Sequence, residues 1–157
     1  MDIREMLDRY SLGERDFCGV CLHGQDISGK NLSYTDLTGA DLSGADLSGA
    51  KLVGVNFNCA NLTNADLSGA DLRSADLSNV NLIGADLTGA QLGRANLSRA
   101  DLRGAVLLQA DLVGAILNGV ELSGAELEGA NINEAELQQS IRYKDVSHRW
   151  VSWSGSR

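Results

Sequence analysis

Chemistry in this chain would have to come from a small set of groups: two histidines, three cysteines and a surplus of carboxylates. Cys18-Gly19-Val20-Cys21 has the C-x-x-C spacing that serves zinc binding or dithiol redox chemistry. A zinc site needs further ligands, and neither a second pair nor a histidine cluster supplies them. Thioredoxin-type chemistry needs a strand feeding a helix beneath the pair, which the surrounding sequence does not provide. Three inert thiols are expected, with Cys59 apart from the other two, and no metal or cofactor. His23 and His148 lie near opposite ends, and they are read as a solvent-facing turn residue and part of a C-terminal cap. No Ser-His-acid set, pocketed carboxylate pair or phosphate-cradling loop accompanies them, so the chain is expected not to be an enzyme.

The elements that must position any functional group follow from one period. From Phe17 to Leu137 every fifth residue is Phe, Leu or Ile, which makes 25 centres without a slip. Two positions before the centre, all 20 residues from Ala40 to Ala135 are Ala or Val. Helical and strand periods of 3.6 and 2 cannot keep every fifth residue on one face, so the chain must turn a corner every five residues. Three sides would crowd leucines at the axis, and five would leave a cavity that Leu and Ala cannot fill. Four sides, or about 20 residues per coil, is the expected closure, with coils stacked at roughly the 4.8 Å of strand spacing. Gly39, Gly44, Gly49, Gly84 and Gly89 supply turn dihedrals two residues after the centre, whereas Asn64, Asn79 and Arg94 stand at the same corner position.

Ala40-Asp41-Leu42-Ser43-Gly44 and Ala95-Asn96-Leu97-Ser98-Arg99 resemble the A(D/N)LXX unit of the pentapeptide repeat family. The resemblance implies an all-β solenoid, a right-handed quadrilateral β-helix of about six coils. It also points to a cyanobacterial origin. The first units depart from the pattern, with Arg15, Val20, Gln25, Lys30 and Thr35 where Ala is usual, and a looser or wider first coil is expected there.

Three parts are expected: an N-terminal helical cap over residues 1–15, the β-helix over 16–140, and a C-terminal cap or interaction tail over 141–157. Ile3, Met6, Leu7 and Tyr10 recur at helical spacing, Asp2 and Glu5 suit a capping box, and Gly13 suits the stop. A short helix over the first coil would cover its open ladder. The tail holds both tryptophans of the chain; Tyr143, Trp150 and Trp153 form a candidate tail interface for self-association through an end. The absence of a secretory pattern and of a long apolar run points to a cytoplasmic protein with no membrane attachment.

The solenoid residues 16–140 carry sixteen acidic and six basic residues, a formal charge of −10. With four sides, residues 20 apart share a wall. Asp26, Asp46, Asp66, Asp86 and Glu126 then form a column with Glu128 beside it, a possible acidic binding face. Such a row invites comparison with DNA phosphates, and family members include proteins that resemble DNA closely enough to act on DNA gyrase. A DNA-mimicking modulator of gyrase is therefore the alternative function. Net acidity argues against direct nucleic-acid binding.

Val106, Leu108, Val113 and Ile116 occupy flanking positions that usually carry polar residues, and they are the candidate apolar interface. Leu108 and Val113 are expected as anchors, with Asp111 and Arg103 orienting the partner. The leading expectation is a noncatalytic protein-interaction or regulatory scaffold with a protein partner whose identity the sequence does not give.

Overall fold

The structure is a computed structural model that describes residues 1–133 and 152–153. It opens with α1 (Ile3–Ser11). From Asp16 onward, parallel backbone bridges join residues 20 apart, from Asp16↔Asp36 to Asp111↔Asn131. Four five-residue sides therefore make each coil, and the Asp16 column, which ends at Ile116, holds six rungs. The regular spacing includes the first coil, so Arg15, Val20, Gln25, Lys30 and Thr35 do not widen it. Instead, the Gln25 side chain accepts the Ile3 N–H at 2.6 Å, and the buried Thr35 hydroxyl donates to the Leu32 carbonyl at 2.5 Å. Gln25 thus meets α1, Thr35 supplies its own polar partner, and Arg15 donates to the Tyr10 carbonyl at 2.8 Å.

Centres and alanines fill the tube. Leu47, Leu67 and Leu87 have no exposed surface, and Ala50 and Ala70 are equally buried at the corners. Each buried leucine contributes about 2 kcal/mol of burial, and the coils are held to one another by backbone bonds such as Leu47 N–H to Asp66 carbonyl. We number the walls by their centres: wall one contains Leu47 and Leu67, wall two Leu52 and Leu72, wall three Phe57 and Leu77, wall four Leu62 and Leu82.

Helix α1 covers the first coil. Asp2 caps α1 by accepting the Glu5 N–H at 2.9 Å, and Gly13 follows at φ +97°. Met6 is fully buried, with Ile3, Leu7 and Tyr10 packed against the core; the Tyr10 hydroxyl donates to the Ser33 carbonyl at 3.1 Å. At the other end β1 (Asn131–Ile132) pairs in parallel with β2 (Ser152–Trp153). The register Asn131↔Ser152 spans 21 residues instead of 20, so the chain returns to wall two with one residue more than a coil uses. Tyr143 and Trp150 lie outside the described residues, and Trp153 is placed by its backbone alone.

Candidate functional site

The wall surface follows from the hydrogen bonds of one repeat. In residues 46–50 the Asp46 N–H donates to the Gln25 carbonyl on one neighbouring coil. Leu47 and Gly49 donate to Asp66 and Ser68 on the other, and Ala50 closes the corner onto the Leu47 carbonyl. That leaves the N–H of Ser48, which donates at 2.9 Å to Asp46 Oδ1, as does the Ser48 hydroxyl at 2.6 Å. Where an aspartate precedes the centre, its carboxylate thus supplies the acceptor that the ladder does not. Asn performs the same task, as Asn96 does for Ser98 at 3.0 Å.

Asp26, Asp46, Asp66 and Asp86 stack on wall one through consecutive bridges. Their Oδ1 atoms are taken up by the N–H groups of Ser28, Ser48, Ser68 and Thr88. The hydroxyl and N–H of Ser28 hold the Asp26 carboxyl below its ordinary value. The column is broken by Val106, which bridges Asp86 on one side and Glu126 on the other. Glu126 and Glu128 are exposed beyond the break. The signal for this local role was the recurrent Asp/Asn-Leu-Ser/Thr triplet, an acceptor two residues before a hydroxyl donor.

The four apolar candidates separate. Val106 and Leu108 are half-buried on wall one, beside a shallow recess lined by Leu108, Gln109, Glu128 and Gly129. Val113 and Ile116 are exposed by 43% and 45% on either side of the corner between walls two and three. Arg103 does not orient anything at that corner. It lies on wall four, where its guanidinium is paired with Asp101 at 2.7 Å because the two stand on one short turn. The arginines near Val113 and Ile116 are Arg94 and Arg99, which the sequence reading did not select. Their stems cross the next coil: a Cβ added at Gly114 or Gly119 would lie 3.3 or 3.2 Å from the Cγ of Arg94 or Arg99.

Cys18 and Cys21 belong to walls three and four, and both are exposed and unpaired, as is Cys59. A hydrogen bond to Asp16, partial desolvation and the nearby Asp36 push the Cys18 thiol up to about 11. That disfavours the thiolate form on which nucleophilic and metal-binding chemistry depends. The His23 ring nitrogen Nδ1 lies 2.8 Å from the Ser43 hydroxyl on the exposed face of wall four. Among the described residues no group of three or more His, Cys, Asp or Glu side chains could hold a metal ion. No described helix is long and apolar enough to cross a membrane.

Four five-residue sides, a leucine axis and carboxylate-closed turns define a β-helical repeat solenoid. A family model described as pentapeptide repeats matches eight copies, over residues 26–58, 56–94, 81–119, 95–133 and 105–141. The chain belongs to the pentapeptide repeat family, and the coil is right-handed and quadrilateral. It is similar to the crystal structure of Rfr23, a pentapeptide repeat protein of the cyanobacterium Cyanothece 51142, with 27% identity, TM-score 0.63, and coverage of 97% of this chain and 99% of that one. A pentapeptide repeat protein of Nostoc PCC 7120 is 38% identical at TM-score 0.60, covering 64% of this chain and 82% of its own. HetL of the same Nostoc strain, a pentapeptide repeat protein involved in heterocyst differentiation regulation, is 32% identical at TM-score 0.40 over 83% of this chain and 70% of HetL. A search of the curated proteins found no match.

Proposed function

We propose that this protein is a noncatalytic interaction scaffold that presents a pre-ordered wall to a protein partner. The observation that carries the reading is the exposed pair Val113 and Ile116, one on each side of the corner between walls two and three, held by backbone hydrogen bonds to the preceding coil. A surface already ordered loses little conformational freedom on binding. Among the described residues the core is packed mainly with leucine and alanine, which favours a role on the outer walls over one in an interior recess. The scaffold works in the cytoplasm, where its three unpaired thiols stay reduced. Capture of partners from cell extract by the native chain and by Val113→Asp/Ile116→Asp tests this. Loss of a specific partner by a variant that melts at the native temperature supports it, and retention of every partner removes this surface as the site.

Gyrase-directed DNA mimicry is the second reading, supported by the stack of Asp26, Asp46, Asp66 and Asp86 on one wall. It is weaker because Oδ1 of each aspartate serves its own turn and Val106 interrupts the row. A supercoiling assay with purified gyrase decides it: salt-sensitive inhibition by the native chain, weakened in Asp46→Ser/Asp66→Ser, would put this reading first.

A further inference from the structure

We infer that wall three and its two corners, in the last two rungs of the Asp16 column, form a docking site for an acidic segment that carries apolar side chains. This rests on the interaction reading and gives the partner its chemistry.

Ile116 stands where the repeat ordinarily places the Asp or Asn that accepts the N–H two residues later. On the same wall Asp36, Asn56, Asp76 and Asn96 all do this, for Thr38, Asn58, Ser78 and Ser98. With Ile116 in that place, the N–H of Asn118 has no acceptor among the described residues. The wall has given up a local hydrogen bond and exposed a large apolar side chain in exchange, which is a local rule broken without a structural return. Val113 extends the apolar surface around the corner.

Two cations frame it. Arg94 leans over Gly114 at one corner of wall three and Arg99 over Gly119 at the other, so that Ile116, Leu117 and Asn118 lie between their stems. Both arginines are exposed. Unlike Arg73 and Arg103, which are tied to Asp71 and Asp101, neither forms an ion pair or a side-chain hydrogen bond among the described residues. Two guanidiniums and a backbone donor without partners among the described residues, together with two exposed apolar side chains, complement a segment with carboxylates around a hydrophobic anchor. The chain's tail has the wrong sign, with Arg142, Lys144, Arg149 and Arg157 against Asp145. Nucleic acid would meet a chain of net charge −8.

The experiment titrates the full chain with three fluorescein-labelled peptides: one alternating Glu and Leu, one with Lys for each Glu, and one with Ser for each Leu. The Glu/Leu peptide is expected to bind in a salt-sensitive manner, and the other two at least roughly tenfold more weakly. Arg94→Glu/Arg99→Glu should abolish binding, while Arg103→Gln leaves it unchanged. Ile116→Asn is the decisive variant, because Asn restores the acceptor for Asn118 and the fold melts no lower, yet binding should fall by roughly tenfold. Native affinity in Ile116→Asn, or equal binding of the Lys/Leu peptide, overturns the inference. So does a native dimer that Ile116→Asn dissociates, since a second copy is then the occupant. Tighter binding in Glu134→Gln/Glu136→Gln also overturns it, by assigning the arginines to the chain's own carboxylates. A cellular partner captured while the Glu/Leu peptide fails to bind leaves the scaffold reading standing and this inference lost.

Discussion

The Tyr34 ring lies across Gly54 of the next coil, so close that a Cβ added to the glycine would sit 2.6 Å from Tyr34 Cδ1. Both residues occupy the same corner column, and both have left-handed backbones, at φ +64°. The Tyr34 side chain therefore leans toward the following coil and takes the space a Cβ would need there; Arg94 over Gly114 and Gln109 over Gly129 repeat the arrangement. Gly54→Ala should lower stability by about 1–2 kcal/mol from backbone strain, with a further loss from the clash. Tyr34→Gly in the same chain should recover the second part. Urea unfolding of the single and double variants measures the coupling.

Asp66 should matter more as an acceptor than as a charge. Asp66→Asn keeps the bonds to Ser68 and should stay within about 0.5 kcal/mol of the native protein. Asp66→Ala removes the partner of the Ser68 N–H and should cost about 1–2 kcal/mol. Equal losses in the two variants would contradict the turn role.

Hydrogen bonds from the Ser28, Thr38 and Ser43 hydroxyls and their backbone N–H groups lower the carboxyl values of Asp26, Asp36 and Asp41. The unfolded chain then binds more protons than the folded one at acid pH, so stability falls with falling pH. The contribution is complete above the unfolded carboxyl value of about 3.9 and disappears as pH drops through the lower folded values. Denaturation midpoints should be level from about pH 7 to 5 and decline below about pH 4. Asp36→Asn/Asp41→Asn retains the acceptors without titrating and should make that decline shallower.

Cys18 should react slowly with iodoacetamide at pH 8, because its thiol is pushed up to about 11. Asp16→Asn removes the carboxylate that holds the thiol proton and should speed alkylation, read by mass spectrometry of the Cys18 peptide. Unchanged rates would show that Asp16 does not control this thiol.

The axis is the least forgiving part of the molecule. Leu67 is completely buried, and Leu67→Ala should cost about 2–5 kcal/mol, whereas Ser68→Ala on the wall should cost about 1 kcal/mol. Thermal melts compare the two directly.

The tube was legible because Leu every fifth residue and Ala two before it leave a single way to bury both, and the 20-residue stacking of Asp46 on Asp66 follows from that count. The part played by Asp46 within its own turn was written in the same triplets, but it depends on which N–H groups the ladder leaves over. The apolar site was legible only in part. Spacing picked out Val113 and Ile116, yet the choice of Arg94 over Arg103 depends on the direction in which corner side chains lean, and no period encodes that.

Bridges between residues 20 apart, on walls five residues long, separate two kinds of inheritance in this chain. Adding or losing one five-residue unit leaves every leucine on the axis but turns all later residues onto the adjoining wall. Adding or losing four units lengthens or shortens the tube and leaves each column intact. A lineage can therefore discard every surface it has evolved beyond one point without disturbing the fold, and the length difference between relatives, divided by 20, tells which of the two has happened.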